Sequence, residues 1–569
     1  MEALTNEQVY FKNLPELLKT SAEKFQNKTA LSVADGISYT YEDVHKLASS
    51  IATELYGSGL QKGEKVAIIS ENNPHWVSAY FGILMAGGIV TPILTEFTSK
   101  EMSSILMHAE ATMVFISNKQ LNKFSNGFPE SVRFVITIED LKMHGAEKVK
   151  ELVQGGTETL LKIPLDDKIK SETSIPESGP NDLAVIIYTS GTTGNSKGVM
   201  LSHDNLIFNA VHTRSIHQVV DTDVFISILP LAHTYECTIG MIIPLLNGAS
   251  VHYIDKAPTA AYLGPLLQKI RPTTMLTVPL IIEKIYRNKV KPGLLASPVT
   301  SALLKFPPTR RLLHRVAGKK LIAFFGNRIR FFGVGGAALA PDVEKFLIEA
   351  RFPYAVGYGL TETSPMLSGF GPKQAVYRSV GTPINGVEIK INFPDPETGE
   401  GEIVAKGRNI MSGYYKNESQ TREVFTEDGY FRTGDLGIID KNGVIYIKGR
   451  SKNMILGANG ENIYPEEIES VINEQEFVNE SLVMHVKGKL VARVHLNFEK
   501  IEETFHHLVT SAHDKQKELQ AKAEELIEEM RSKVNLQLNK NSRLQKTILQ
   551  KDPFEKTPTQ KIKRFLYKS

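Results

Sequence analysis

The chain is poor in sulfur chemistry: Cys237 is the only cysteine among 569 residues. An internal disulfide and a multi-cysteine metal site are thereby excluded, and a reducing, cytoplasmic setting is expected. Long apolar runs are missing too, and nothing reaches the roughly 18 residues that a membrane-spanning helix needs. Charge of one sign is not in excess. The formal net charge of +3 gives nucleic acid no claim as a partner. The opening MEALTNEQVYFKNL has no apolar core, so no secretory signal is expected. The 15 histidines are scattered without the spacing of a zinc site.

What is present describes an ordinary globular protein, 41% apolar and 23% charged, and too long for a single core. Between residues 24 and 110, KTALSV, ISYTY and KVAIIS read as strands. They alternate with helical spacing in YEDVHKLASSIATELYGSGL and HWVSAYFGILMAGG, and ATMVFIS and SVRFVITIED continue the pattern. A second set follows between 220 and 380: DVFISILP, GASVHYI, TTMLTV, IRFFGVGG and AVGYGL. Apolar strands separated by helices predict helix-covered parallel sheets. The polar run DKIKSETSIPESGPND, 167–182, is the expected cut between the two sheets.

From 386 onwards VEIKI, GEIVAKG and LGIIDKNGVIYIKG predict short β-ribbons, with Asn442 and Gly443 in a tight hairpin turn. Beyond 450, PEEIESVINE reads as a helix and SLVMHVKGKLVARVHLNF as a hairpin. A long charged helical region is expected over 510–545, including AKAEELIEEM and NLQLNKNSRLQKTILQ. A surface helix on a small domain is preferred there to a coiled coil.

The stretch YTSGTTGNSKG, 188–198, has no apolar side chain after Tyr188. VIIYTS before it is a strand by composition, and GVMLSH after it continues as a second strand, with Ser202 able to cap a following helix. Gly191, Gly194 and Gly198 permit close approach of an anion. Thr189, Ser190, Thr192 and Thr193 add hydroxyl donors, and Lys197 adds positive charge. A polyphosphate is the natural guest; a flexible exposed loop is the plainer alternative. The standard P-loop is rejected, because Lys197 precedes Gly198 and no helix opens directly after it.

This loop closely resembles the signature of the adenylate-forming enzymes, the superfamily of acyl-CoA synthetases, peptide-synthetase adenylation domains and firefly luciferase. PLAHTYE, GVGGAAL, YGLTETSP, YFRTGDLG, GRSKNMI, NGENIYPEEIE and PTQKIKR follow in that superfamily's order, so the resemblance covers nearly the whole chain. PLAHTYE, GYGLTETSP and the ending PTQKIKR look most like long-chain fatty acid–CoA ligases. The fold implied is α/β: a large N-terminal region of helix-covered sheets with a small β-ribbon subdomain, then a small mobile α+β C-terminal domain. The boundaries implied are 1–449, with sublobes near 1–180, 181–385 and 386–449, and 450–569.

The activity implied is ATP-dependent. A carboxylate and ATP give acyl-AMP and pyrophosphate, then the CoA thiol gives acyl-CoA and AMP. Alignment and charge neutralisation carry such a step, with little covalent help from protein. The resemblance assigns the pyrophosphate portion to residues 189–198, with Ser196 where the family usually has proline. It makes Glu362 the Mg²⁺ ligand, has Thr361 touch the α-phosphate, and stacks Tyr358, beside Gly359, on adenine. Without it, Glu362 reads equally well as a solvated loop acid, though it follows an apolar strand, where ligands of open α/β sheets collect. Gly335, Gly336 and Ala337, in the 333–339 stretch, line the adenine and acyl channel, or form an ordinary strand-to-helix turn before Pro341. Asp435 can accept from both hydroxyls of a ribose, with Arg450 in support; an Asx-type turn is its alternative. His233 and Tyr235 line the carboxyl and acyl site without an assigned base. Lys561 is the adenylation lysine, with Lys563 as the one-register alternative, and Lys452 is the pivot of the C-terminal lobe.

Between Glu283 and Asp342 there is no acidic residue, while lysines and arginines recur among leucines, prolines and phenylalanines, as in SALLKFPPTRRLLHRV. Basic charge beside apolar surface suits an anionic membrane face from which an insoluble fatty acid could be collected. A solvated basic loop, or one that meets CoA phosphates, is the alternative. Two other functions stay open: an inactive binding protein of this fold, and a ligase that delivers the acyl group to a carrier protein's phosphopantetheine arm. An amino-acid-activating module is disfavoured, since no carrier domain follows residue 569.

Overall fold

The computed structural model describes residues 11–34, 36–148, 161–162, 175–190, 196–256, 258–456, 462–505, 515–557 and 561–567. Two nine-stranded sheets dominate these residues. In the first, the parallel strands Lys65–Ile69, Ile89–Pro92, Ala111–Ile116 and Phe134–Thr137 form the centre. Leu183–Ser190 joins them in parallel and then turns into the antiparallel Ser196–Ser202. In the second, Thr274–Thr277, Phe331–Val334 and Tyr354–Gly359 run parallel, and Met366–Phe370 and then Thr382–Pro383 follow antiparallel on one side. Valine and isoleucine crowd these strands because both faces are covered. Helix Pro74–Met85 shows why. Trp76, Val77, Tyr80, Phe81 and Ile83 are wholly buried, so the helix is apolar all round and sits inside the layers.

The expected cut at 167–182 is corrected by the strand order. Thr29–Val33 and Ser38–Thr40, from before the cut, lie at the edge of the second sheet, with Leu31 opposite Val251. Leu183–Ser190 and Ser196–Ser202, from after it, belong to the first, with Gly413–Tyr414 at its edge. Residues 167–174 of that run lie outside the described residues; strand pairing follows whichever edge is open and apolar, not where the chain turns polar.

Glu388–Asn392, Gly401–Lys406, Phe431–Ile439 and Ile445–Arg450 form the expected ribbon sheet. Gly443 has φ +77 in the hairpin that joins its last two strands, the left-handed conformation that glycine adopts without cost. The smaller C-terminal domain carries the hairpin Val478–Val486 and Lys489–Leu496 with three helices packed on it, so the fold is the expected α/β assembly with an α+β C-terminal domain. One boundary differs. Helix Lys515–Asn535 stops well short of 545, and Lys546–Gln550 is a strand parallel to Lys489–Leu496. The Asn535 amide exchanges two hydrogen bonds with the Leu544 backbone, and this ends the helix where leucine spacing alone would continue it. Ala523, Ile527, Met530 and Val534 give that helix its single buried stripe, as expected of a surface helix.

Candidate active site

The site is built at the C-terminal end of Tyr354–Gly359 and completed by the ribbon and the C-terminal tail. That strand leads into a tight turn over Thr361–Thr363, which places Thr361 and Glu362 half-buried in the cleft. The Met411 backbone N–H donates to the Glu362 carbonyl, and the Tyr414 hydroxyl donates to Glu362 Oε1 at 2.9 Å. Lys197 stands on Ser196–Ser202 opposite Thr189, and its ammonium lies 5.0 Å over the Tyr414 ring. Burial lowers the Lys197 pKa first and the charge of Lys452 lowers it further, while Glu362 and Glu423 oppose both. Ser202 caps the next helix, His203–His212, through a capping box, as the sequence predicts. Gly191, Thr192, Thr193 and Gly194, and the side chain of Ser190, lie outside the described residues.

Tyr358 and Asp435 meet across two sheets: the Tyr358 hydroxyl donates to Asp435 Oδ2 at 2.7 Å. Arg450 is the cross-strand partner of Asp435, and its Nε stands 2.8 Å from Oδ1. Asp435 is buried, which pushes its carboxyl up against the pull of Arg450, Tyr358 and Lys561. Each carboxylate oxygen keeps a lone pair for a further donor. Lys561 is exposed as a residue, but its ammonium reaches into the same cleft. Protein packed around it lowers its pKa first and Arg450 second, whereas Asp435 and Glu362 raise it. His233 registers the same charge. Burial and then Lys561 push its imidazole down to about 4, so the ring is neutral near pH 7. The structure thus gathers Lys197, His233, Glu362, Asp435, Arg450 and Lys561 around one cleft, with Lys452 exposed at its edge. Lys563 donates its backbone N–H to the Glu555 carbonyl.

A family model for AMP-binding enzymes matches residues 18–415. The chain belongs to that family. This AMP-binding enzyme is 29% identical over 501 residues to the long-chain-fatty-acid–CoA ligase heimdall of Drosophila melanogaster, covering 81% of this chain and 72% of the relative. It is 28% identical over 553 residues to a chloroplastic long-chain-fatty-acid–[acyl-carrier-protein] ligase of Arabidopsis thaliana, covering 83% and 75%. Among solved structures, ATP-bound MatB from Rhodopseudomonas palustris aligns with a TM-score of 0.73 and 25% identity over 97% of this chain and 98% of the other.

Behind the cleft of the AMP-binding enzyme runs an apolar cavity of about 30 Å³, walled by Tyr235, Ile239, Leu276, Phe331 and Met366. Glycine at 333 and 335 makes room for Tyr235: a Cβ at Gly333 would come within 3.0 Å of its hydroxyl, and one at Gly335 within 3.2 Å of its ring. Gly336 and Ala337 are exposed at the strand's mouth, and Pro341 opens the next helix.

Three residues that sequence reasoning passed over hold this site. Tyr414, between Lys197 and Glu362, carries no sequence signal beyond a Gly-Tyr pair. Asn72 clamps the loop that carries His233 and Tyr235. Its amide donates to Ser227 Oγ and to the Leu229 carbonyl, and its oxygen accepts from the Leu231 N–H. Glu236, at the end of the quoted PLAHTYE, is 1% exposed with Oε2 unpartnered among the described residues, and burial pushes its carboxyl up to about 8 against a Ser227 hydrogen bond. A carboxyl raised in the folded state binds its proton more tightly than in the unfolded chain. Its contribution to stability is full below the ordinary glutamate range and is lost as pH rises towards 8. Glu236→Gln is therefore expected to lie progressively above the native protein in thermal midpoint as pH climbs from 5 to 8.5, by a few degrees at the top of that range. Parallel melting curves across that series would show that Glu236 is not the buried neutral acid described.

Proposed function

We propose that the enzyme is an ATP-dependent fatty acid–CoA ligase acting on long-chain acids, in two half-reactions. The observation that carries the reading is the convergence of Lys197, Glu362, Lys561 and the Asp435–Arg450 pair on one cleft. Asp435 holds the ribose hydroxyls through its remaining lone pairs, and Tyr358 fixes the carboxylate while its ring borders adenine. Lys197 and Thr189, with Ser190 and the glycines and threonines of 191–194, orient the β- and γ-phosphates. In the first step an oxygen of the acid's carboxylate bonds to the α-phosphorus as the bond to the bridging oxygen breaks and pyrophosphate leaves. Lys561, with the Thr361 hydroxyl, meets the negative charge that shifts on the α-phosphate oxygens, and a cation and a hydrogen-bond donor so placed act mainly in the transition state. In the second, thiolate sulfur bonds to the acyl carbon and AMP departs, with Lys561 withdrawn as the C-terminal domain turns about Lys452.

Mg²⁺ fits this cleft. No group of three or more ligand side chains occurs among the described residues, and a single carboxylate at Glu362 suits an ion that takes most of its oxygens from phosphate and water. Bound there, it would neutralise charge on the phosphates.

The acid is assigned to the apolar cavity past Tyr235. Its lining offers no charge for a substrate ammonium; at about 30 Å³ it holds only a water or two, so a long chain enters as several lining side chains give way, unbranched Met366 among them. CoA is the preferred acceptor; the similarity to a carrier-protein ligase keeps a phosphopantetheine arm as the second reading. Purified enzyme, ATP and Mg²⁺ should convert long-chain acids to thioesters with free CoA, and short or aromatic acids far more slowly. Turnover confined to a carrier protein would replace the acceptor, and preference for aromatic or amino acids would overturn the substrate.

A further inference from the structure

The basic run noticed in the sequence folds into a helical face that the active site does not use. Seven of the 17 exposed large apolar side chains among the described residues fall between 280 and 316: Leu280, Leu295, Val299, Leu303, Phe306, Leu312 and Val316. That concentration in one segment is not the single scatter expected of an ordinary surface. Helix Pro307–Phe324 shows how it is arranged. His314, Gly318 and Leu321 are buried against the domain, while Leu312, Val316, Lys319 and Lys320 face outwards. Arg311 and Arg315 form the next ridge, one turn apart. Beside this ridge, a groove of about 550 Å³ runs between that helix and Pro341–Ala350, lined by Arg311, Arg315, Lys345, Arg351, Glu349 and Tyr377, among others.

Of the acids near the groove, Glu474 acts on Tyr377, and the others are already paired. Glu349 is held by Arg310 and His314, Glu344 by Arg378, and Asp342 by Arg287. Arg311, Arg315 and Arg351 have no ion-pair partner among the described residues. The groove therefore presents uncompensated positive charge directly beside exposed leucine, valine and phenylalanine.

We propose that this groove and the outward stripe of Pro307–Phe324 form a docking face for an anionic phospholipid bilayer. The arginines and Lys345 take headgroup phosphates while Phe306, Leu312 and Val316 enter the acyl boundary. The chemistry recognised is a phosphate ester, and the apolar stripe selects the bilayer as its source over a soluble phosphate. A second copy of the chain is disfavoured as the occupant, because a two-fold contact would set like charge against like. Nucleic acid would find phosphate partners here but no use for exposed aliphatic side chains. The inference does not rest on which acid or thiol the enzyme uses.

The test uses the full chain, sedimented with sucrose-loaded vesicles of phosphatidylcholine alone or mixed with phosphatidylglycerol. Binding is expected only to the mixed vesicles, and to weaken as salt is added. Arg311→Glu with Arg315→Glu should lower the partition coefficient at least about tenfold, since each basic residue near an anionic surface counts appreciably. Leu312→Ser with Val316→Ser should lower it as well, and make the residual binding more salt-sensitive. Both double variants should keep the native thermal midpoint, because all four side chains are exposed. Equal binding to neutral vesicles, or native binding by the charge-reversed variant, would overturn the proposal. So would calorimetric binding of inorganic phosphate without vesicle sedimentation, or a dimer in sedimentation velocity that Arg311→Glu with Arg315→Glu dissolves.

Discussion

Lys561→Ala is expected to slow acyl-AMP formation from acid and ATP by roughly a hundredfold or more, and to leave thioester formation from ready-made acyl-AMP and CoA nearly untouched. The lysine ammonium shares its cleft with Glu362, Asp435 and Arg450, and its charge is felt by His233. Partial desolvation makes that charge a stronger partner for a phosphate oxygen than it would be in water. Losing one such contact costs on the order of 3 kcal/mol in the transition state. Stability should not fall, since the residue contributes no apolar surface to a core. Lys563→Ala is the matched control and should leave both steps near native. Equal damage to the two half-reactions by Lys561→Ala, or selective damage by Lys563→Ala, would refute the assignment.

Glu362→Gln should reduce adenylation by about tenfold to a hundredfold and raise the magnesium concentration needed for half-maximal rate. The substitution is nearly isosteric and keeps an acceptor for the Tyr414 hydroxyl, so the turn at Thr361–Thr363 should stay in place. Only the charge is removed. Tyr414→Phe separates the carboxylate's charge from its anchoring. It takes away the hydrogen bond while leaving the ring under Lys197, and a smaller loss with an unshifted magnesium titration is expected. Should the titrations of Glu362→Gln and native enzyme superimpose, the carboxylate does not meet the metal.

Much of this arrangement is legible in the sequence. The glycine and hydroxyl loop after VIIYTS reads as a hairpin tip because its flanks are β-branched and its centre carries no apolar side chain, and Ser202 caps the following helix as its sequence predicts. The family resemblance implies one ribose for Asp435 and Arg450, and the register of two ribbon strands makes them neighbours. The bond between Tyr358 and Asp435 was not legible. It joins a parallel sheet to a ribbon, and no periodicity in a sequence reports which two sheets meet. Asn72 was hidden for the same reason, since its three partners lie more than 150 positions away. KTILQ misled in the other direction. Its lysine, leucine and glutamine favour a helix, yet an open edge at Lys489–Leu496 claimed it as a strand.

The exchange of strands between the two large sheets has a consequence for how the polypeptide is made. Leu31 pairs locally with Tyr39, but its other edge is filled only by Val251; Val90 likewise has Val66 on one side and waits for Val185 on the other. A ribosome must therefore release the chain as far as Ser250–Tyr253 before the second edge of the chain's first strand has a partner. Until then the apolar strand Thr29–Val33 waits with an open edge, the condition in which nascent chains aggregate or recruit chaperones. Neither sheet is a unit that synthesis can finish and set aside. Closing such long loops late makes folding slow at a given stability, and it ties the first sheet's completion to the birth of the second.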